Sequence, residues 1–192
     1  MTINNKKNQP LINKKILLGI TGGIAAYKTC SLVGLLHKFG ADVKVIMTPA
    51  ATEFVGPLTF QALTHHPVYI EMLKPINQEE VEHIALAQWC DLAIIAPATA
   101  NTIGKLANGL CDNLLTTVFT AIPKSTPIII APAMNVEMWE NEFVQENIKK
   151  LKKTNRYFFV DPICGRLACG YIANGKIADN EIILEEIKKR LK

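Results

Sequence analysis

The sequence predicts an α/β fold, a single-domain, Rossmann-like, doubly wound parallel sheet with helices on both faces. Three observations carry that expectation. Short apolar runs rich in β-branched residues alternate with longer helical patterns, the order that places crossover helices on a parallel sheet. The first run, KILLGIT at 15–21, passes through Gly22-Gly23 straight into a helical pattern, a turn that aims backbone N–H groups at an anion. Two later runs, LAIIAPA at 92–98 and IIIAPA at 128–133, end in exit turns crowded with Thr, Asn, Met and Trp. Ligands of open parallel sheets sit at that edge.

The elements follow in order. Residues 1–14 (MTINNKKNQPLINK) are polar, aperiodic and rich in Asn and Lys, and are expected as a flexible leader to a domain over 15–192. A helix from Ile24 to Phe39 closes on Gly40 as its C-cap. DVKVIM at 42–47 is the second strand, and Thr48-Pro49 opens a short helix. PLTFQALT at 57–64 reads as one or two helical turns, and HHPVYI at 65–70 as a short strand. The acidic pair Glu79-Glu80 opens a helix through Trp89. Residues 99–121 form one or two helices broken near Gly109, residues 136–153 are helical, and YFFV at 157–160 is the last strand. The glycine-rich segment 161–178 is expected to be irregular. A final helix over 181–192 carries Lys188, Lys189, Arg190 and Lys192 at its C-terminal end, complementing its dipole.

Composition narrows the function classes. With 192 residues, 49% hydrophobic and 20% charged, the chain is an ordinary one-domain globular protein. Its longest apolar run falls short of a bilayer span and its N-terminus lacks a signal-peptide core, so a cytoplasmic location without membrane contact is expected. The net charge of +4 equals the four lysines Lys6, Lys7, Lys14 and Lys15. The body is therefore neutral, and a nucleic-acid patch is not expected. Five cysteines, odd in number and scattered, suit free thiols in a reducing compartment.

The first loop admits several ligands. Gly19, Gly22 and Gly23 lack the spacing of a dinucleotide fingerprint, and the second strand ends in Met47-Thr48 without a ribose-binding acid. A Walker A loop needs glycine where Tyr27 stands before Lys28-Thr29. A mononucleotide phosphate on Gly22, Gly23, Ile24 and Ala25, helped by the Thr48 hydroxyl, and a plain strand-to-helix turn both remain open. The second exit loop, Pro97-Ala98-Thr99-Ala100-Asn101-Thr102, combines small residues that admit a flat ring with side chains able to bond its polar edge. Thr99 alone would pass as a helix N-cap.

Taken together, these motifs resemble the FMN-dependent flavoprotein cysteine decarboxylases, over about Lys15 to Ala178. The family's flavin loop PA(S/T)ANT matches Pro97–Thr102, and PxMNxxMW matches Pro132–Trp139. The active-site histidine followed by isoleucine matches His83-Ile84, and the LACG flap matches Leu167–Gly170 with Gly175 beyond it. The stretch ANGIADxLLTT appears as ANGLCDNLLTT, where Cys111 replaces a small residue. Within the family the chain looks most like the branch acting on phosphopantothenoylcysteine in coenzyme A biosynthesis.

The resemblance implies FMN as cofactor, held by Gly22, Gly23, Ile24, Ala25, Thr48, Phe54, Pro97, Ala98, Thr99, Ala100, Asn101 and Thr102. It implies a substrate carbon oxidised to a thioaldehyde by hydride transfer, decarboxylation to an enethiolate, and return of the hydride with a proton. His83 is the candidate acid–base, Asn135 the ligand of the substrate carboxylate or amide, and Cys169 the proton donor. Met134, Ala168 and Gly170 are expected to join Asn135 and Cys169 around the substrate. Without its motif His83 would read as a partly buried helix histidine, and Met134, Met138 and Trp139 as core. His37, His65 and His66 receive no role, and Cys164 stays open. No Cys/His pair at ligand spacing accompanies Cys164 and Cys169, so no metal is expected.

Implied partners are a small-molecule substrate, further copies of the chain as a homotrimer (stacked into dodecamers in some members), and a separate phosphopantothenate–cysteine ligase, since the sequence stops at Lys192. The flavin is expected near a subunit boundary. The alternatives are an oxidative decarboxylase of peptidyl cysteines, which stops at the enethiol and is disfavoured by Cys169, and a flavin prenyltransferase. A flavin-binding regulatory protein without turnover is a third.

Overall fold

A computed structural model describes residues 9–72, 82–166, 170 and 172–192. Six strands form one sheet: β1 (Lys15–Ile20), β2 (Asp42–Met47), β3 (Val68–Tyr69), β4 (Leu92–Ala98), β5 (Ile128–Pro132) and β6 (Tyr157–Phe159). Their order is β3-β2-β1-β4-β5-β6, and every pair is parallel. The winding reverses between β1 and β4, so a crevice opens above their C-terminal ends. That crevice positions the site.

The apolar strand runs are explained by burial on both faces. Ile16, Leu18 and Ile20 of β1 join one core, with Val43, Val45, Ile94 and Ile129. Leu17, Ile46, Ala93, Ile95, Ile128 and Ile130 point into the other. The first core is closed by α1 (Lys28–Lys38) and α9 (Asn180–Arg190), which contribute Leu32, Val33, Leu36, Ile183, Leu184 and Ile187. The second is closed by α4 (Glu82–Trp89), α5 (Ala100–Asn108), α6 (Leu114–Ala121) and α8 (Glu142–Lys152). Each fully buried Leu or Ile contributes about 1.5–3 kcal/mol. Two short helices, α2 (Pro49–Thr52) and α3 (Pro57–Thr64), link β2 to β3.

Four expectations are corrected. Residues 9–14 are not a loose leader: Leu11 is fully buried and its amide donates to the Phe39 carbonyl at 3.0 Å. The helix after β1 begins as a single 3₁₀ turn, Ile24–Tyr27, before α1. The pattern at 136–153 is two helices, α7 (Val136–Glu140) and α8. Asn141 separates them, its extended backbone ending one and its Oδ1 accepting from Phe143 N and Val144 N of the other at 3.0 and 3.4 Å. The segment 161–178 holds an antiparallel hairpin, β7 (Ile163–Arg166) with β8 (Ile172–Lys176). The expected acidic opening Glu79-Glu80 lies outside the described residues. Among the described residues, no helix is long and apolar enough to cross a membrane.

Candidate functional site

A cavity of about 750 Å³ occupies the crevice between β1 and β4. Gly22, Gly23, Ile24 and Ala25 line it from the first loop, and Pro97, Thr99 and Ala100 from the second. Ala133, Met134, Asn135 and Met138 line it from the β5 exit, and Arg166, Gly175, Lys176 and Ile177 from the hairpin and its exit; Tyr27 and Lys28 complete the lining. Volume and apolar character with a few convergent polar groups fit a small-molecule site.

A row of hydrogen bonds ties these four elements together. Thr21, 1% exposed, donates its hydroxyl to the Pro97 carbonyl at 2.6 Å and accepts from Thr99 N at 3.0 Å. Ala133 N donates to the Ala98 carbonyl at 3.1 Å, and Met134 N to the Gly175 carbonyl at 3.1 Å. Gly175 has φ +137°, and a Cβ there would overlap the Met134 carbonyl oxygen. Glycine is required at that place by conformation and contact together. Gly22 is required by contact alone: its missing Cβ would meet the Ala50 backbone at 2.8 Å. The first loop is thus pressed against α2, while Gly23, in extended backbone, has nothing within 4 Å of its missing side chain.

The remaining expected residues fall in three groups. Ala98, Asn101 and Thr102 do not line the cavity. Ala98 is buried in β4, Asn101 is exposed on α5, and Thr102 is 3% exposed with its amide donating to Thr99 Oγ1 at 3.4 Å. Thr99 is therefore both helix cap and cavity wall. Thr48 and Phe54 also stand outside the lining. Thr48 Oγ1 caps α2 by accepting from Ala51 N at 3.3 Å, and Phe54 is half-exposed beyond that helix. His83 is half-buried on α4, whose Leu86 and Ala87 anchor it on the second core, and it does not line the cavity either. Ala168 and Cys169 lie outside the described residues; Gly170, with φ +93°, is described but not part of the lining.

Asn135 is fixed by its own helix. It is the N-cap of α7, with Oδ1 accepting from Glu137 N at 2.8 Å. The decorated exit turn therefore owes Asn135's orientation to capping, and the cavity receives the capped side chain in one pose. Trp139 packs on the second core, whereas Met138 is 47% exposed at the cavity.

The residues that sequence reasoning missed are Thr21 and the cations. Among the described residues no acid lines the cavity, and Lys28, Arg166 and Lys176 do. The Lys28 amine is held below the ordinary lysine range, first by burial and then by the Lys176 charge, against an opposing pull from Asp179. Such a lining suits a ligand carrying negative charge. Among the described residues no cluster of three or more His, Cys, Asp or Glu stands together as a metal site.

The chain is similar to known proteins over most of its length. The Flavoprotein family model matches residues 4–192. The coenzyme A biosynthesis bifunctional protein CoaBC of Bacillus subtilis is 49% identical over 179 residues, covering 93% of this chain and 43% of that protein. A Streptococcus mutans protein named "Probable phosphopantothenoylcysteine decarboxylase" is 44% identical over 180 residues, covering 94% of this chain and 100% of that one. The chain thus spans less than half of the bifunctional relative and the whole of the shorter one. Among solved structures, a PPC decarboxylase mutant complexed with pantothenoylaminoethenethiol superposes with a TM-score of 0.81 at 32% identity, over 92% of this chain and 97% of that chain. The FMN binding protein AtHal3 gives 0.77 at 33% identity, over 92% and 95%.

Proposed function

The chain belongs to the flavoprotein family, and from that premise we propose that it is an FMN-dependent decarboxylase of phosphopantothenoylcysteine, releasing carbon dioxide and phosphopantetheine in coenzyme A biosynthesis. The observation that carries this reading is the cavity at the sheet's switch point, walled by both flavin-motif loops and by Asn135, with cations and no acid among its described lining residues. The residues present fit FMN. Small side chains at Ala25 and Ala100 leave room for a ring. The backbone of Gly22–Ala25, with Lys28 and Lys176 nearby, suits the phosphate. Thr48 and Phe54 belong to the α2 segment pressed on Gly22 and are assigned as outer contacts of the cofactor. Buried Ala98 and Thr102 support the ring loop from behind, and exposed Asn101 is assigned as a further cofactor contact from α5.

When bound, FMN supplies the acceptor and donor of hydride that makes the substrate carboxylate labile. The chain's residues do the rest. Asn135, already oriented by its capping bond, holds the substrate carboxylate or neighbouring amide. The apolar lining from Ile24, Met134 and Met138 keeps water from the reacting thiol. His83 moves the proton at the substrate sulfur. Cys169 delivers a proton to the enethiolate, so that the product leaves as a saturated thiol and no external reductant is consumed.

His83 reaches the site from a neighbouring copy. α4 runs antiparallel to β4, so its N-terminal end stands at the sheet edge that carries the cavity, yet the side chain lies off the wall formed by its own chain. Exposed Ile84, Met72, Leu110 and Leu58 supply apolar area for a trimer contact. The ligase step belongs to a separate activity in the same route, and the flavin would lie near the subunit boundary.

The test is carbon dioxide release from phosphopantothenoylcysteine by the purified, flavin-loaded protein, with the product identified by mass spectrometry. The saturated thiol is expected. An enethiol product would favour the oxidative peptidyl-cysteine chemistry, and bound flavin without carbon dioxide would favour a regulatory role.

A further inference from the structure

The cationic groups on the cavity wall form two centres, not one. The first lies beside the glycine loop. Lys28 opens α1 immediately after the turn that carries Ala25, and Lys176 is near enough for its charge to bear on Lys28. Asp179, 3.7 Å from Lys176, partly offsets that centre. Gly165 keeps it in place: a Cβ there would press on the Lys176 Cδ at 2.7 Å, so the lysine stem lies flat across β7.

The second centre is Arg166. In the hairpin, Ile163 faces Lys176 while Arg166 faces Ile172. Arg166 therefore stands three residues nearer the hairpin tip, roughly 10 Å along the strand. It is exposed, lines the cavity, and among the described residues no carboxylate approaches it within ion-pair distance. A guanidinium held over a cavity without a partner acid is placed to take an oxyanion in bidentate fashion.

Two phosphates must be accommodated if the site takes both FMN and a phosphopantothenoyl substrate. The loop centre, with its backbone N–H groups, suits the cofactor. We propose that Arg166 recognises the terminal phosphate of the substrate and is the specificity-determining residue that separates phosphopantothenoylcysteine from unphosphorylated cysteine compounds. The proposal rests on the function argued above and adds the group that selects within that substrate class.

The experiment compares flavin-loaded wild type with Arg166→Gln and Arg166→Lys. Each is assayed for carbon dioxide release from phosphopantothenoylcysteine and from pantothenoylcysteine, which keeps the carboxylate and lacks the phosphate. FMN affinity is titrated in parallel by flavin fluorescence. Wild type is expected to prefer the phosphorylated substrate. Arg166→Gln is expected to lower kcat/KM for that substrate by about tenfold to a hundredfold. It should leave the dephosphorylated substrate and FMN affinity unchanged, and Arg166→Lys should recover part of the loss. Equal losses on both substrates would place Arg166 at the carboxylate, weakened FMN binding would place it at the cofactor, and an unchanged preference would remove it from recognition; each overturns the assignment. Wild type releasing carbon dioxide from neither substrate would overturn the functional reading and the assignment with it.

Discussion

The inner wall of the cavity and its outer elements are built on different physics. The inner wall is three strand exits and one hairpin strand, joined edge to edge through Thr21, the Ala98 and Ala133 backbone, and the contact between Met134 and Gly175. The links are hydrogen bonds of 2.6–3.3 Å closed within one chain. Two of the groups proposed for proton transfer and substrate selection, His83 and Arg166, take no part in that stitching. His83 sits on α4 beyond the wall, and Arg166 on an exposed hairpin position. The lesson is a division of labour. Placing a flat cofactor demands backbone held to a few tenths of an ångström, which a stitched sheet edge supplies. In the proposed reading, acid–base and selective groups are brought to it from elements with separate anchors.

The largest expected effect breaks the stitching at the hairpin. Gly175→Val introduces both a disfavoured positive φ and a collision with Met134, and should cost about 2–4 kcal/mol of stability with turnover reduced more than a hundredfold. Thermal unfolding and turnover together check it; a variant melting like wild type would show that the hairpin is held by something else. Thr21→Val comes next. Losing a buried hydroxyl with two partners should cost about 1–3 kcal/mol. Flavin titration should show about tenfold weaker FMN binding, with Thr21→Ser restoring it. Lower stability with unaltered FMN affinity would reduce Thr21 to a packing role.

The α4 side is probed through Cys90, buried where α4 meets the second core. Burial pushes its thiol from 9.0 up to about 11. The unfolded chain loses that proton first, so the stabilisation is complete below pH 9 and is lost as pH rises toward 11. Cys90→Ala should flatten that alkaline decline by on the order of 2 kcal/mol in denaturant titrations. The smallest effect concerns Lys28. Its amine gives up its proton below the ordinary lysine value of 10.5, so FMN affinity should begin to fall at an alkaline pH lower than a free lysine would dictate. Lys28→Arg should move that fall upward.

Strands and exit loops were legible because burial on both faces writes itself as apolar runs, and because Pro97–Thr102 and Pro132–Trp139 are dense motifs. Thr21 was not legible: one threonine after a strand looks like any other, and only the contact with Pro97 gives it meaning. The hairpin was hidden by its glycines, which suggest irregularity. Yet Gly165 and Gly175 are there because Lys176 and Met134 pack against them. Asn141 looked like one polar residue in a helical pattern, and its side chain chose to cap instead. His83 is proposed on its motif alone, and no motif tells which chain's cavity a side chain enters.

The comparison between walls meets its most direct test in mixed oligomers. His83→Asn and Asn135→Ala proteins, each inactive alone, are unfolded together, refolded with FMN and assayed for carbon dioxide release. If the stitched wall of one copy receives His83 from another, random assortment restores intact sites and roughly a quarter of wild-type activity. Mixed oligomers that form, bind flavin and remain inactive would contradict the account and return His83 to the chain that carries it.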